Sequence, residues 1–141
     1  DAMSTIQSQS TSNPCSISQK AAVAALRLGN PFTKTMVTEF DRRRRVMVDR
    51  LNKMPGVTCC MPTGAFYAFP NVSGLLGKRW KDQPIGSAAN LATYLLNEAQ
   101  VAVVPGEPFG SDIHIRLSYA TAMEAIERGL TRIDAALRRL S

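Results

Sequence analysis

One residue of this 141-residue chain has a type and a setting suited to binding chemistry, and it is an arginine. Ile113, Ile115, Leu117 and Tyr119 alternate with His114, Arg116 and Ser118. Strand spacing sends the first set to one face and the second to the other. A strand is a stiff platform, and a guanidinium presents a planar fork that matches a carboxylate through two parallel hydrogen bonds. Arg116 in mid-strand must therefore be paired or face a cleft. On pattern alone, an edge-strand arginine in solvent or in a salt bridge outweighs a ligand-binding one. His114 shares the face, but a lone strand histidine is more often a hydrogen-bonded bystander. Phe66, Tyr67 and Phe69 weigh more as core than as pocket wall, and Trp80 as a cover over apolar surface.

Little else in the chain points to catalysis. No Ser/His/Asp or Cys/His arrangement is present, and Thr63-Gly64-Ala65 and Pro105-Gly106-Glu107 are too short to define a phosphate cradle. His114 is the only histidine and no Cys-x-x-Cys pair accompanies it, so no metal site is expected. Cys15, Cys59 and Cys60 are odd in number and irregular in spacing, which fits reduced thiols and a cytoplasmic protein. No apolar stretch approaches the roughly 20 residues of a membrane span, and no signal peptide is expected. The net charge of +6 invites a nucleic-acid partner, but four of the positive charges are Arg42-Arg43-Arg44-Arg45. Successive helical residues lie about 100° apart, so this run spreads around the cylinder. Glu39 with Arg43 and Asp41 with Arg45 stand at i,i+4, so a solvated helix face outweighs a phosphate-binding patch.

The elements that must position Arg116 follow from punctuation and period. Ser4 to Ser16 is rich in Ser, Thr, Gln and Asn and is expected to be loop or extended chain. Ser16-Ile-Ser-Gln19 reads as a capping box before a helix with Ile17, Ala21, Ala24, Ala25 and Leu28 on one face, its alanines suited to close packing. Gly29 ends it, and Asn30-Pro31 starts a long helix to about Met54 with Met36, Phe40, Met47, Leu51 and Met54 as its stripe. Arg43 and Arg44 flank that stripe, where their stems can cover it. Short strands are expected at 57–61 and 65–69, a loop at 71–86, a helix at 87–100 and a buried strand at 101–104. Thr121-Ala-Met-Glu124 is a second capping box, opening a helix with Ile126, Leu130, Ile133, Leu137 and Leu140 on one face. The fold class is α/β: a small sheet covered by helices, preceded by a stretch that belongs to something else.

Four segments carry a family resemblance: Ser4-Thr-Ile-Gln-Ser-Gln-Ser-Thr-Ser-Asn-Pro14, Pro62-Thr-Gly-Ala-Phe-Tyr-Ala-Phe69, Val101-Ala-Val-Val-Pro-Gly106 and Ile115-Arg-Leu-Ser-Tyr-Ala120. Each is weak alone. In this order and spacing, the whole chain resembles the C-terminal portion of class I aminotransferases of the aspartate aminotransferase type, nearest to the bacterial subgroup. The resemblance implies a fold-type I pyridoxal 5′-phosphate (PLP) enzyme, usually a homodimer, that moves an amino group between an amino acid and a 2-oxo acid, with aspartate or glutamate as donor. It implies residues 1–30 as the end of the large domain, 31–54 as an interdomain connecting helix and 55–141 as the small domain. It also reverses the weighing of Arg116, whose family counterpart in the Arg-Leu-Ser-Tyr-Ala motif binds the substrate α-carboxylate.

The departures are equally specific. The family's Schiff-base lysine and its other cofactor-binding groups lie in motifs that the resemblance places upstream of Asp1. Lys20, Lys34, Lys53, Lys78 and Lys81 have no such context. No catalytic or cofactor-binding residue is expected in this chain, which is expected to be inactive alone. Two other functions compete. One is a stand-alone regulatory α/β module that binds amino acids through Arg116. The other is nucleic-acid binding through the arginine run, which predicts salt-sensitive association.

Overall fold

The computed structural model describes every residue except Ser12 and Asn30. The expected loop at Ser12 and the expected helix start at Asn30 therefore lie outside the described residues. The chain divides into two compact units, Asp1–Val37 and Thr38–Ser141, with the division falling inside a helix.

The first unit is helical. Helix α1 (Ala2–Ser10) replaces the loop expected for the Ser/Thr/Gln-rich start. The hydroxyls that make this composition look loop-like turn back onto the helix: Thr5, Ser8 and Ser10 donate to the carbonyls of Asp1, Thr5 and Ile6. Such back-bonding satisfies the side chains without breaking the helix. Helix α2 (Ser16–Leu28) ends at Gly29, whose φ of 52° suits glycine. The capping box is out of step by one residue. Cys15 is the N-cap, Ser16 is already helical, and Gln19 donates to the Pro14 carbonyl instead. Every described residue of this unit is exposed, including Ile17, Leu26 and Leu28 of α2.

Helix α3 (Pro31–Leu51) begins on proline as expected and brings Met47, Val48 and Leu51 into the core of the second unit. Its arginines are paired along the helix. Arg42 and Arg43 bond Glu39, Arg45 bonds Asp41, and Arg44 bonds both Asp41 and the Pro62 carbonyl. Glu39 with Arg43 and Asp41 with Arg45 realise the expected i,i+4 spacing, and Arg42 and Arg44 add i,i+3 pairs to the same carboxylates.

The expected strand at 57–61 does not form. Burial alternates there, with Val57 and Cys59 in and Thr58 and Cys60 out, but the ladder is a single bridge between Thr58 and Asn71. The backbone of Cys59 is claimed by the Asn52 side chain, which accepts from its N–H at 2.7 Å and donates to its carbonyl at 2.9 Å. A side-chain amide has taken the place of a neighbouring strand.

The sheet is small and antiparallel. Strands β1 (Tyr67–Ala68), β4 (Val104–Pro105) and β5 (Ile115–Ser118) lie in the order β1-β5-β4, with Tyr67 opposite Ser118 and Val104 opposite Arg116. The segment expected as a loop holds a hairpin, β2 (Arg79–Trp80) with β3 (Gln83–Pro84). Helix α4 (Ala88–Tyr94) is capped by Ser87, whose hydroxyl accepts from the Asn90 N–H, and runs into a π-turn over Leu95–Ala99. Gln100 then adopts a left-handed conformation, and only the end of the 101–104 segment joins the sheet. Val104 is 38% exposed, so this is an edge and not the buried strand expected. Helix α5 (Met123–Leu137) starts one residue too late for the Thr121–Glu124 box: Ala122 is its N-cap and makes no side-chain bond. Its apolar stripe holds, with Ile126, Leu130, Ile133, Leu137 and Leu140 all buried.

Candidate functional site

Strand β5 alternates as its sequence requires. Ile115, Leu117 and Tyr119 are buried, whereas His114 and Arg116 are half-buried and Ser118 is exposed on the other face. The buried row packs into the core with α5 and fixes the strand, so the opposite row is presented from a stiff support. Sheet register places Tyr67 opposite Ser118 and thus diagonal to Arg116 on the same face.

The surroundings of Arg116 are aromatic. Its guanidinium carbon lies 4.3 Å from the ring centroid of Tyr67 and 4.3 Å from that of Phe109. Among the described residues it has no ion pair and no side-chain hydrogen bond. Neither of the two arginine environments expected on pattern alone, solvent or salt bridge, describes it. Phe109 closes a 3-10 turn (Glu107–Phe109) between two glycines. Gly110 has a φ of 82°, and a Cβ on Gly106 would stand 2.3 Å from the Ser111 carbonyl oxygen and 2.6 Å from that of His114. Only glycine allows the loop to close so tightly.

A second tier supports the first. Phe69 meets Phe109 edge-on at 6.2 Å and stacks on His114 at 4.8 Å with 9° between planes. The Nδ1 of His114 lies 2.6 Å from the Ser111 hydroxyl. The expectation that Phe66, Tyr67 and Phe69 are core is corrected: Phe66 is 40% exposed, Phe69 36%, and Tyr67 is half-buried. Period-2 spacing puts Tyr67 and Phe69 on one face, and the register with β5 makes it the face of Arg116. Phe109 has no such signal, because a turn sets its direction.

The strand that carries Tyr67 is held from behind. Tyr119 donates its hydroxyl to the Ala65 carbonyl at 3.1 Å, and its N–H bonds the Phe66 carbonyl at 2.9 Å. Burial raises the Tyr119 hydroxyl above its ordinary pKa, which keeps it a donor. Ala65 has a φ of 59°, a conformation that costs a non-glycine residue roughly 1 kcal/mol.

Other features do not converge on this face. A cleft of about 430 Å³ between the β2–β3 hairpin and α4 is lined by Trp80, Asn90, Tyr94 and Glu98. Its indole is already covered by Lys81 and Arg139, and Trp80 packs against the core as expected. Among the described residues no group of three or more His, Cys, Asp or Glu could hold a metal, and no helix is long and apolar enough to cross a membrane. All three cysteines are free.

An arginine with open donors, set on a strand face of this α/β unit, defines the class when joined to the comparison with known proteins. The family model for aminotransferase class I and II matches residues 1–133, and the chain belongs to that family. It is 45% identical over 141 residues to the aspartate aminotransferase of Rhizobium meliloti (strain 1021), covering 99% of this chain and 34% of that protein. It is 48% identical over 135 residues to the aspartate/prephenate aminotransferase of Cereibacter sphaeroides, covering 95% of this chain and 34% of that one. The crystal structure of the Rhizobium meliloti enzyme superposes with a TM-score of 0.91 at 45% identity, over 99% of this chain and 35% of that one. The chain thus spans about a third of the length of its relatives.

The donors gathered here fit a carboxylate and do not fit the family's cofactor. A PLP site needs a lysine amine and donors for a phosphate, and no lysine lies among the residues on the Arg116 face. Lys20 and Lys34 belong to the first unit. In the second, Lys78 donates to the Leu140 carbonyl, Lys81 lies over Trp80, and Lys53 is exposed just beyond α3.

Proposed function

We propose that this chain is the substrate-clamping part of a PLP-dependent aminotransferase, with Arg116 as the fork that grips the α-carboxylate of the amino acid and of the 2-oxo acid. The observation that carries this reading is the state of the guanidinium: half-buried, placed by a rigid strand, against two rings and with no carboxylate partner among the described residues. Its donors are free for a ligand, and a bidentate pair fixes the ligand's orientation as well as its position. Aspartate is the favoured donor, as the names of the relatives suggest, with glutamate the other donor that the family resemblance implies. The cofactor would be held by residues that this chain does not contain, in a cytoplasmic homodimer. Residues 1–30 would end the large domain, 31–54 would connect, and 55–141 would form the small domain that closes on the substrate. The isolated chain is then inactive.

The test is an assembled enzyme in which this chain replaces the aligned segment of the Rhizobium meliloti aspartate aminotransferase. Transamination of aspartate is expected in that enzyme and not in the isolated chain. Arg116→Ala should lower kcat/KM for amino acids at least a hundredfold, the scale of a lost charge-assisted bidentate contact. Turnover that survives this substitution sinks the reading. Tight binding of aspartate to the isolated chain, lost on Arg116→Ala, would instead favour a stand-alone amino-acid-binding module.

A further inference from the structure

We infer that Tyr67 and Phe109 are positioning residues: they hold the Arg116 guanidinium by their ring faces and so keep its hydrogen-bonding fork assembled and vacant for a carboxylate. The inference rests on the clamp reading of Arg116 and adds a mechanism to it.

An arginine in a binding site must be held still before the ligand arrives, because ordering a long side chain weakens binding. The usual holder is a carboxylate. A carboxylate, however, occupies the same N–H groups that the ligand needs, and it must be displaced. Aromatic faces attract the guanidinium through their quadrupole and leave every N–H in the plane open. Both rings lie 4.3 Å from the guanidinium carbon, well within the roughly 6 Å reach of such contacts.

The two rings come from independent supports. Tyr67 is fixed by the β1–β5 register and by the Tyr119 bonds to Ala65 and Phe66. Phe109 is fixed by the glycine-closed turn, where its N–H bonds the Gly106 carbonyl at 2.8 Å, and by Phe69 at its edge. The aromatic ring is what matters at both positions. The Tyr67 hydroxyl makes no hydrogen bond among the described residues. Phe109 is 46% exposed, so its conformation is held for a reason other than burial.

The experiment uses the assembled enzyme and reads a ratio: kcat/KM for an α-amino acid over that for the corresponding amine lacking the α-carboxylate. The ratio reports carboxylate capture and cancels general damage to the fold. Tyr67→Leu and Phe109→Leu should each lower it about tenfold, mainly through KM, the scale of losing one desolvated cation–π contact. Tyr67→Phe and Phe109→Tyr should restore it. If a leucine variant fails to fold, pentafluorophenylalanine at position 109 decides the matter, since it keeps the ring and reverses the potential of its face. A lowered ratio with that residue supports the inference. A ratio unchanged in the leucine and fluorinated variants, while Arg116→Ala collapses it, overturns the inference and leaves the clamp standing. A ratio unchanged in Arg116→Ala removes the clamp and this inference with it.

Discussion

Two groups of arginines in this chain are held in opposite ways. On α3, Arg42, Arg43, Arg44 and Arg45 are each tied to Glu39 or Asp41 within one turn of their own helix. On β5, Arg116 has no acidic partner among the described residues and rests against Tyr67 and Phe109. The first group is the densest run of positive charge in the chain, yet each of its guanidinium groups already has a carboxylate partner. The second is a single charge with its donors free. Counting basic residues draws attention to the first region, and asking what each guanidinium is bonded to draws attention to the second. Two carboxylates at the base of the arginine run neutralise part of its field.

Exchange of arginine for lysine should separate the groups most widely. In the assembled enzyme, Arg116→Lys keeps the charge and loses the planar fork, and kcat/KM for amino acids should fall about a hundredfold. Arg45→Lys should leave it within twofold. Steady-state kinetics of the two variants side by side would break the comparison if they fell together.

Next in size is the loop that aims Phe109. Gly106→Ala forces a Cβ into the Ser111 and His114 carbonyls, which should destabilise the fold by about 1–3 kcal/mol and lower carboxylate capture at the same time. Calorimetry and the amino acid-to-amine ratio measure the two effects. A variant as stable as the parent and equally selective would show that the turn does not position the ring.

Stability alone can be moved without touching either group. A Cβ on Gly129, inside α5, meets nothing within 4 Å. Gly129→Ala should therefore stabilise by roughly 0.5–1 kcal/mol and leave the ratio as it was. A change in the ratio would mean that selectivity follows global stability, and the case for local positioning would weaken.

The smallest effect concerns pH. Hydrogen bonds from Arg42 and Arg43, together with their charge, hold the Glu39 carboxyl at about 2, below its ordinary 4.5. A depressed carboxylate pKa contributes stability above the unfolded value, and that contribution is lost as pH falls from about 4.5 toward 2. Because the pair is at the surface, salt should weaken it. An NMR titration of Glu39 should show a midpoint near 2 that rises in Arg43→Gln and in high salt. An ordinary midpoint would mean that the α3 arginines are not committed to their carboxylates.

Much of this arrangement is legible in the sequence. The β5 alternation, the α5 stripe and the shared face of His114 and Arg116 all follow from period, because buried rows enforce it. The boundaries were not legible where a side chain competes with the backbone. Asn52 bonds to Cys59 and removes an expected strand, and hydroxyls bonding back to carbonyls let a Ser/Thr-rich segment form α1. Both capping boxes missed by one residue, since the motif fixes a spacing but not where the helix begins. At the candidate site, the strand pattern puts Arg116 on its half-buried face but does not pick out its aromatic neighbours. By residue type Tyr67 reads as core, because aromatic residues usually go there, and Phe109 sits on a turn whose direction no periodicity describes.

The three-stranded sheet has a further consequence, for solubility. A site lined by half-exposed aromatic rings invites self-association, and open strand edges are the usual template for it. Here β1 and β4, the outer strands, are each two residues long. Pro105 ends β4 and Pro70 follows β1, and neither has an N–H to offer a visiting strand. Beyond β1, the Thr58–Asn71 bridge already occupies the next backbone groups. A second chain would find side chains to touch around Arg116 but almost no backbone to pair with.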